Sequence, residues 1–149
     1  MRVADIQTDK VIHTVASASV REAAALMRKR HVGALVVTDQ PDGERVPIGI
    51  LTDRDIVVAV IAPGVDIGAL TVGDVMTRNL VTCTEDQELF DVIHVMREHG
   101  VRRLPVLNAK GGLAGMVAAD DVYTALGAHM SELGLALTRE QVRERRVRS

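Results

Sequence analysis

A mixed α/β (α+β) fold, built from two pseudo-symmetric repeats that pack face to face, is predicted for this 149-residue chain by three observations. The sequence overlays on itself. Each copy alternates segments of helical and strand periodicity in the same order. The composition, 47% apolar with only one Tyr, one Phe and no Trp, demands an aliphatic core of Val, Ala, Leu and Ile.

The self-overlay comes first because internal repeats decide the architecture. Shifted by 69 residues, the segment from Val3 to Asp39 meets its counterpart without a gap. Val3, Asp5 and Thr8 fall on Val72, Asp74 and Thr77. Met27 and Arg28 fall on Met96 and Arg97, and Val32, Leu35 and Val37 on Val101, Leu104 and Val106. The first copy then carries a hairpin loop three residues longer, after which the register resumes at an offset of 66 and Gly49, Asp55 and Ile56 meet Gly115, Asp121 and Val122.

Each copy opens with a short lead-in and an extended stretch, Val11-Ile12 and Leu80-Val81. An amphipathic helix follows. Ser19 and Glu22 make a capping box, with Ala23, Leu26 and Met27 on one face; Leu89, Val92, Ile93 and Met96 form that face in the second copy. Gly33 and Gly100 lie near the helix ends, where a left-handed residue stops a helix at low cost. Two apolar runs around a turn then read as a hairpin. In the first copy these are 34–37 and 48–51 around Asp39-Gln40-Pro41-Asp42-Gly43, and in the second 104–107 and 113–117 around Asn108-Ala109-Lys110-Gly111-Gly112. A second helix is predicted from about Asp53 to Val60 and from about Asp120 to Leu126. The organisation expected is therefore a first repeat at 1–63, a connector at 64–71, a second repeat at 72–127 and a tail at 128–149. A copy of only about sixty residues has a marginal core by itself, so the two copies should complete each other and leave two equivalent clefts at their seam.

Several functions are disfavoured. A net charge of −2 gives no chain-wide grip on nucleic acid, and the missing aromatics remove a stacking platform for single strands. The longest apolar run, Ile56 to Ala62, is far short of a membrane span, so no membrane partner is expected. Asp5 and Asp9 stand where a signal peptide would be apolar, and a single cysteine suits a reducing compartment, so the expected location is the cytoplasm. Catalysis is not expected: Cys83 aligns with Thr14 and reads as a small buried residue, and His94 sits beside the apolar stripe of its helix. His13, His31, His94, His99 and His129 are scattered, without metal-ligand spacing.

The order helix, strand, hairpin, strand, helix, with Gly49-Ile50-Leu51-Thr52-Asp53-Arg54-Asp55-Ile56 at the last strand–helix junction, resembles a CBS domain. Asp74-Val75-Met76-Thr77 is similar to the usual start of such a domain, and Val101-Arg102-Arg103-Leu104-Pro105-Val106 to its middle strand. Two in tandem resemble a CBS pair, or Bateman module, over about residues 3–126.

The resemblance implies a regulatory module that binds an adenosyl ligand, AMP, ADP or ATP, between the repeats, with no catalytic cofactor. By analogy Asp55 and Asp121 would accept the ribose hydroxyls, and Thr52, next to Arg54, would donate to a phosphate. Adenine would lie against Ile12, Val32, Leu35 and Ile50, its edge read by the backbone around Ala34. The second-repeat counterparts are Val81, Val101, Leu104, Pro105 and Met116, with Arg102 and Arg103 supplying phosphate charge. Mg²⁺ would reach the chain only through a bound nucleotide, at Asp53 and Asp55 or at Asp120 and Asp121. On any fold the same aspartates would also serve as helix caps.

The halves are not equal. Ala118 stands where the first copy has Thr52, Asp120 where it has Arg54, and Gly33-Ala34 where the second copy has two arginines. Either the two sites differ in ligand, or Arg102 and Arg103 serve a ligand held by the first copy. The resemblance further implies a homodimer through helix faces that signals to a separate downstream protein. The rivals are a ligand-free assembly module and a pair that binds S-adenosylmethionine or NAD. In the tail, Met130 to Leu137 is apolar enough for a docking helix, and Thr138-Arg139-Glu140-Gln141 resembles a cap for a further one, rich in arginine; a frayed, solvated end is the simpler expectation.

Overall fold

The computed structural model describes residues 1–40 and 43–148. The first repeat contains β1 (His13–Thr14), α2 (Val20–Arg30), β2 (Ala34–Asp39), β3 (Val46–Thr52) and α3 (Asp53–Ile56), after a four-residue lead-in helix α1 (Val3–Ile6). The second contains α4 (Val72–Val75), β4 (Cys83–Thr84), α5 (Leu89–His99), β5 (Arg103–Leu107), β6 (Leu113–Ala118) and α6 (Ala119–Arg148). Each repeat has one three-stranded sheet, ordered β1-β2-β3 and β4-β5-β6, with the middle strand parallel to the first and antiparallel to the third. The two-repeat α/β architecture is thus present.

Local chemistry accounts for most boundaries. Ser19 and Glu22 cap α2 reciprocally, at 3.0 and 3.3 Å. The left-handed residue that ends α2 is His31 (φ 55°), not Gly33 as predicted; its repeat partner Gly100 (φ 63°) ends α5. Gly33 is small for another reason: a Cβ there would meet the Asp53 carboxylate at 2.9 Å. The predicted second helix is α-helical only to Ile56 and continues as a wider π turn through Val57–Ile61, four of whose five residues are β-branched. The extended stretches fall two and three residues later than expected, in β1 and β4 respectively. In the first hairpin loop, Pro41 and Asp42 lie outside the described residues.

Two aliphatic cores result, and the lead-in helices are exchanged between them. Val3 of α1, fully buried, packs with Cys83, Leu89, Val92, Leu104, Val106, Val117 and Val122 of the second repeat. Val72 of α4 and the adjoining Met76 pack with Val20, Ala23, Met27, Leu35, Val37 and Leu51 of the first. Backbone bonds fix the exchange: Val3 N–H donates to Gln87 O at 2.9 Å, and Val72 N–H to Ala18 O at 2.8 Å. Each core therefore needs a segment from the far side of the chain, which answers the marginal size of a single copy.

The tail departs from expectation. No new helix starts at Thr138, whose hydroxyl donates back to Gly134 O within the helix at 3.1 Å. Instead α6 runs unbroken for 30 residues, and every described residue from Gly127 onward is exposed. Accessible surface totals 9977 Å², above the ~7,400 Å² expected of a compact chain of this mass, as a projecting helix requires.

Candidate ligand-binding clefts

The seam is tied by two pairs of crossing backbone bonds. Thr8 and Met116 exchange N–H···O bonds of 2.8 and 3.0 Å, and Thr77 and Ile50 exchange bonds of 2.9 and 3.1 Å. Thr8 and Thr77 are repeat equivalents, as are Met116 and Ile50, so the lead-in of each repeat is stitched to the last strand of the other. Glycine at 49 and 115 allows the close approach: a Cβ would lie 2.8 Å from Thr77 O and from Thr8 O respectively.

A cleft opens beside each stitch. The first, about 370 Å³, is lined by Thr8, Lys10, Val11, Ile12 and Val32–Ala34 from one repeat and by Arg103, Met116, Ala118, Asp120 and Asp121 from the other. The second, about 210 Å³, is lined by Ile50 and Thr52 of the first repeat and by Thr77, Asn79, Leu80, Val81, Val101, Arg102 and Arg103. The first volume falls within the roughly 300–1,000 Å³ of small-molecule pockets; the second is smaller, with two exposed arginines at its wall.

This grouping corrects the assignment by repeat. Ile12, Val32 and Ala34 share a cleft with Met116 and Asp121 and not with Ile50. Val81, Val101 and Arg102 share one with Ile50 and Thr52. Leu35 and Leu104 do not face a cleft at all: each is fully buried in its core, because β2 and β5 are middle strands covered on both faces. Pro105 is likewise buried in β5. Its place in a middle strand is permitted by the short neighbour β4, which first pairs at Val106; the equivalent Val36 N–H donates to Ile12 O at 3.2 Å, a bond a proline cannot make.

At both strand–helix junctions a carboxylate closes the first turn. Asp55 Oδ2 accepts from Thr52 N–H at 2.9 Å while Thr52 Oγ1 accepts from Asp55 N–H at 3.1 Å. Asp121 Oδ2 accepts from Ala118 N–H at 2.8 Å, and the alanine offers nothing in return. Each carboxylate keeps its other oxygen for a second donor, and both side chains are half-buried. Asp121 lines the first cleft; Asp55 lines neither, and is bonded to Thr52, which lines the second. Arg54 is exposed and lines neither.

The clefts differ in charge. Around the first, Asp120 and Asp121 face Lys10 and Arg103. Around the second, Arg102 and Arg103 have no carboxylate among the lining residues. Arg103 lines both. The lead-in residues Thr8, Lys10 and Val11, with Thr77, Asn79 and Leu80, were not named as ligand contacts from sequence; the 69-residue offset relates the two trios pair by pair and would have flagged them as equivalent positions.

Elsewhere, burial pushes the Cys83 thiol up to about 11, and His94 is exposed beside Glu98, so the two do not form a nucleophile and base. Among the described residues no three of His, Cys, Asp and Glu converge as metal ligands, and no helix is long and apolar enough to cross a membrane.

Comparison with known proteins agrees with the architecture. The family model for the CBS domain matches twice, at residues 3–62 and 72–128. The CBS domain-containing protein YhcV of Bacillus subtilis is 37% identical over 120 residues, 80% of this chain and 81% of that protein. Hypoxic response protein 1 of Mycobacterium tuberculosis is 35% identical over 107 residues, 72% of each. The chain spans half the length of a Methanopyrus kandleri relative that is 34% identical over 101 residues, 68% of this chain. Among solved structures, a putative signal-transduction protein with CBS domains from Burkholderia ambifaria superposes with a TM-score of 0.72 at 30% identity, covering 86% of this chain and 95% of that one. The CBS domain pair of protein MJ0100, in complex with 5′-methylthioadenosine and S-adenosyl-L-methionine, gives 0.73 at 26%, covering 87% and 98%. The repeated motif, the exchanged cores and these matches agree: the chain belongs to the CBS-domain family, as a tandem CBS pair.

Proposed function

We propose that this CBS pair is a cytoplasmic sensor that binds adenosyl ligands in its two seam clefts and passes their occupancy to a protein partner. The observation that carries the reading is that each cleft has walls from both repeats. A ligand held there contacts both halves at once, so it stabilises one arrangement of them by its differential affinity. In the second cleft Ile50, Val81 and Val101 offer apolar faces to a purine, and Thr52, Arg102 and Arg103 the phosphate donors; Asp55, outside the lining but bonded to Thr52, would have to supply the ribose acceptor from beside the cleft. AMP, ADP or ATP is the ligand this set suits, and any Mg²⁺ would arrive with it.

The first cleft supports a second reading. Its Asp120 and Asp121 repel a polyphosphate and favour an uncharged or cationic adenosyl group, such as a thioadenosine or S-adenosylmethionine. The complex of the MJ0100 pair with ligands of that type is consistent with it.

A thermal-shift and calorimetry panel of AMP, ADP, ATP, NAD, 5′-methylthioadenosine and S-adenosylmethionine tests both. The expected result is stabilisation by a nucleotide through one site, and additive stabilisation by an uncharged or sulfonium ligand through the other. No response to any of them at millimolar concentration would favour a ligand-free assembly module.

A further inference from the structure

The basic end of α6 is the least explained feature of the molecule. Gly127 to Arg148 reach ~33 Å beyond the last residue packed on the core, and all of them are exposed. Charge is concentrated at the far end of this arm. Residues 134–148 hold five arginines against two glutamates, a net of +3, whereas residues 1–133 carry a net of −5. A chain with no overall attraction for polyanions thus holds a local one, set away from its acidic body.

The placement of the arginines narrows the partner. At about 100° per residue, Arg139, Arg143 and Arg146 fall within about 60° of one another, and they share a shallow depression with Val142 and Val147. Arg145 lies about 120° round the helix from Arg139, on the other side of Val142. Val142 therefore stands between two basic flanks. Glu140 and Glu144 lie on the side opposite Val142, where Glu144 pairs with Arg148 at 3.0 Å.

Three polyanionic surfaces fit this pattern poorly. A lipid surface needs an apolar face opposite the cations, but over residues 138–148 the face opposite Arg139 holds Gln141, Glu144 and Arg148. A flat acidic protein surface engages cations on one side only. Single-stranded nucleic acid wants aromatic side chains for its bases, and the arm has none. A duplex groove differs, because a phosphate wall stands on either side. The major groove of B-form DNA, ~12 Å wide, admits a helix of ~10–12 Å with its side chains. Arginine pairs with phosphate bidentately.

We propose that the arm of α6 binds double-stranded DNA in the major groove. Arg139 and Arg143 face the phosphates of one wall and Arg145 those of the other, with Val142 toward the base edges and the glutamates turned to solvent. The contact does not depend on ligand binding in the clefts.

Fluorescence anisotropy of a labelled duplex titrated with the full chain tests it. With three or four phosphates neutralised, log K should fall against log salt with a slope of about −2.7 to −3.6, a loss of roughly 40- to 150-fold between 50 and 200 mM salt. The variant R139Q/R143Q/R145Q, at three exposed positions, should bind at least roughly tenfold more weakly, and its slope should be shallower by about 1 for each contact removed. Its far-ultraviolet circular dichroism and nucleotide response should be unchanged. V142E and L137E introduce the same charge at two exposed positions on different sides of the helix. V142E should abolish most of the binding and L137E little of it. No duplex binding at 50 mM salt, full binding by the triple variant, or equal losses in V142E and L137E would each overturn the proposal. So would tighter binding to a single strand of the same length, to polyglutamate, or to vesicles of phosphatidylserine and phosphatidylcholine than to the duplex. If the triple variant fails to fold, the V142E and L137E pair decides alone.

Discussion

The carbonyl oxygen of Thr77 lies 2.8 Å from where a Cβ on Gly49 would sit, and the Thr8 carbonyl stands in the same relation to Gly115. Both carbonyls accept seam hydrogen bonds, from Ile50 and Met116 N–H respectively, so neither can retreat without breaking one. Gly49→Ala and Gly115→Ala should each destabilise the chain by about 1–3 kcal/mol, the usual cost of overpacking. Chemical denaturation checks this. Gly127→Ala, with open space around it, should not destabilise the isolated protomer.

Asp55 and Asp121 each combine a capping role with a free carboxylate oxygen, and the two roles separate by substitution. Asp55→Ala and Asp121→Ala should lose about 0.5–2 kcal/mol of stability with the cap. Each should also lose about 1–3 kcal/mol of ligand affinity with the charged acceptor. Asp55→Asn keeps an oxygen for Thr52 N–H and should recover most of the stability and little of the affinity. Calorimetric titration beside a denaturation curve distinguishes them. Unchanged affinity in both alanine variants would remove the aspartates from the site.

Much of this was legible in the sequence because it rests on local chemistry and repetition. The Ser19–Glu22 box, the paired glycines 49 and 115 and the aliphatic stripes of α2 and α5 all have short-range signatures. The cleft grouping did not. That Ile12 faces Met116 and not Ile50 follows from the crossing of the lead-ins, a contact between residues about a hundred positions apart. Leu35 and Leu104 stand beside the ligand only by analogy with the CBS family; the coverage of β2 and β5 on both faces places them in the cores. Thr138 misled in the opposite way. Its capping pattern is real, but the preceding segment has no proline to break the helix, and the hydroxyl turns back to Gly134 O instead.

Cys83 gives a prediction about pH. Burial in the second core pushes its thiol from an ordinary 9.0 up to about 11, so the folded state favours the protonated form more than the unfolded state does. The stabilisation is full below about pH 9 and is lost as pH rises through the interval to about 11. Stability should therefore decline across that alkaline window in the native chain, and Cys83→Ala should flatten the decline while lowering stability at neutral pH. At pH 8 a thiol reagent should label Cys83 only as fast as the chain opens, so that labelling follows denaturant-induced unfolding. Rapid labelling of the folded protein would place the thiol outside the core.

Arg103 lines both clefts and Arg102 only the second, which makes the two arginines unequal probes of the proposed sites. Arg102→Gln should weaken a nucleotide in the second cleft and leave an uncharged adenosyl ligand in the first unaffected. Arg103→Gln should weaken the same nucleotide and also change binding in the first cleft, where it removes a positive charge facing Asp120 and Asp121. With that charge gone, a cationic adenosyl ligand should bind more tightly and an anionic one less. Because both arginines are exposed, the effects should shrink with added salt, as the Debye length falls to ~3 Å at 1 M. Titrating ATP and S-adenosylmethionine against both variants at low and high salt reads all four outcomes. If the two substitutions gave identical effects on both ligands, Arg103 would not connect the clefts, and coupling between the sites would have to run through the Thr8–Met116 and Thr77–Ile50 stitches alone.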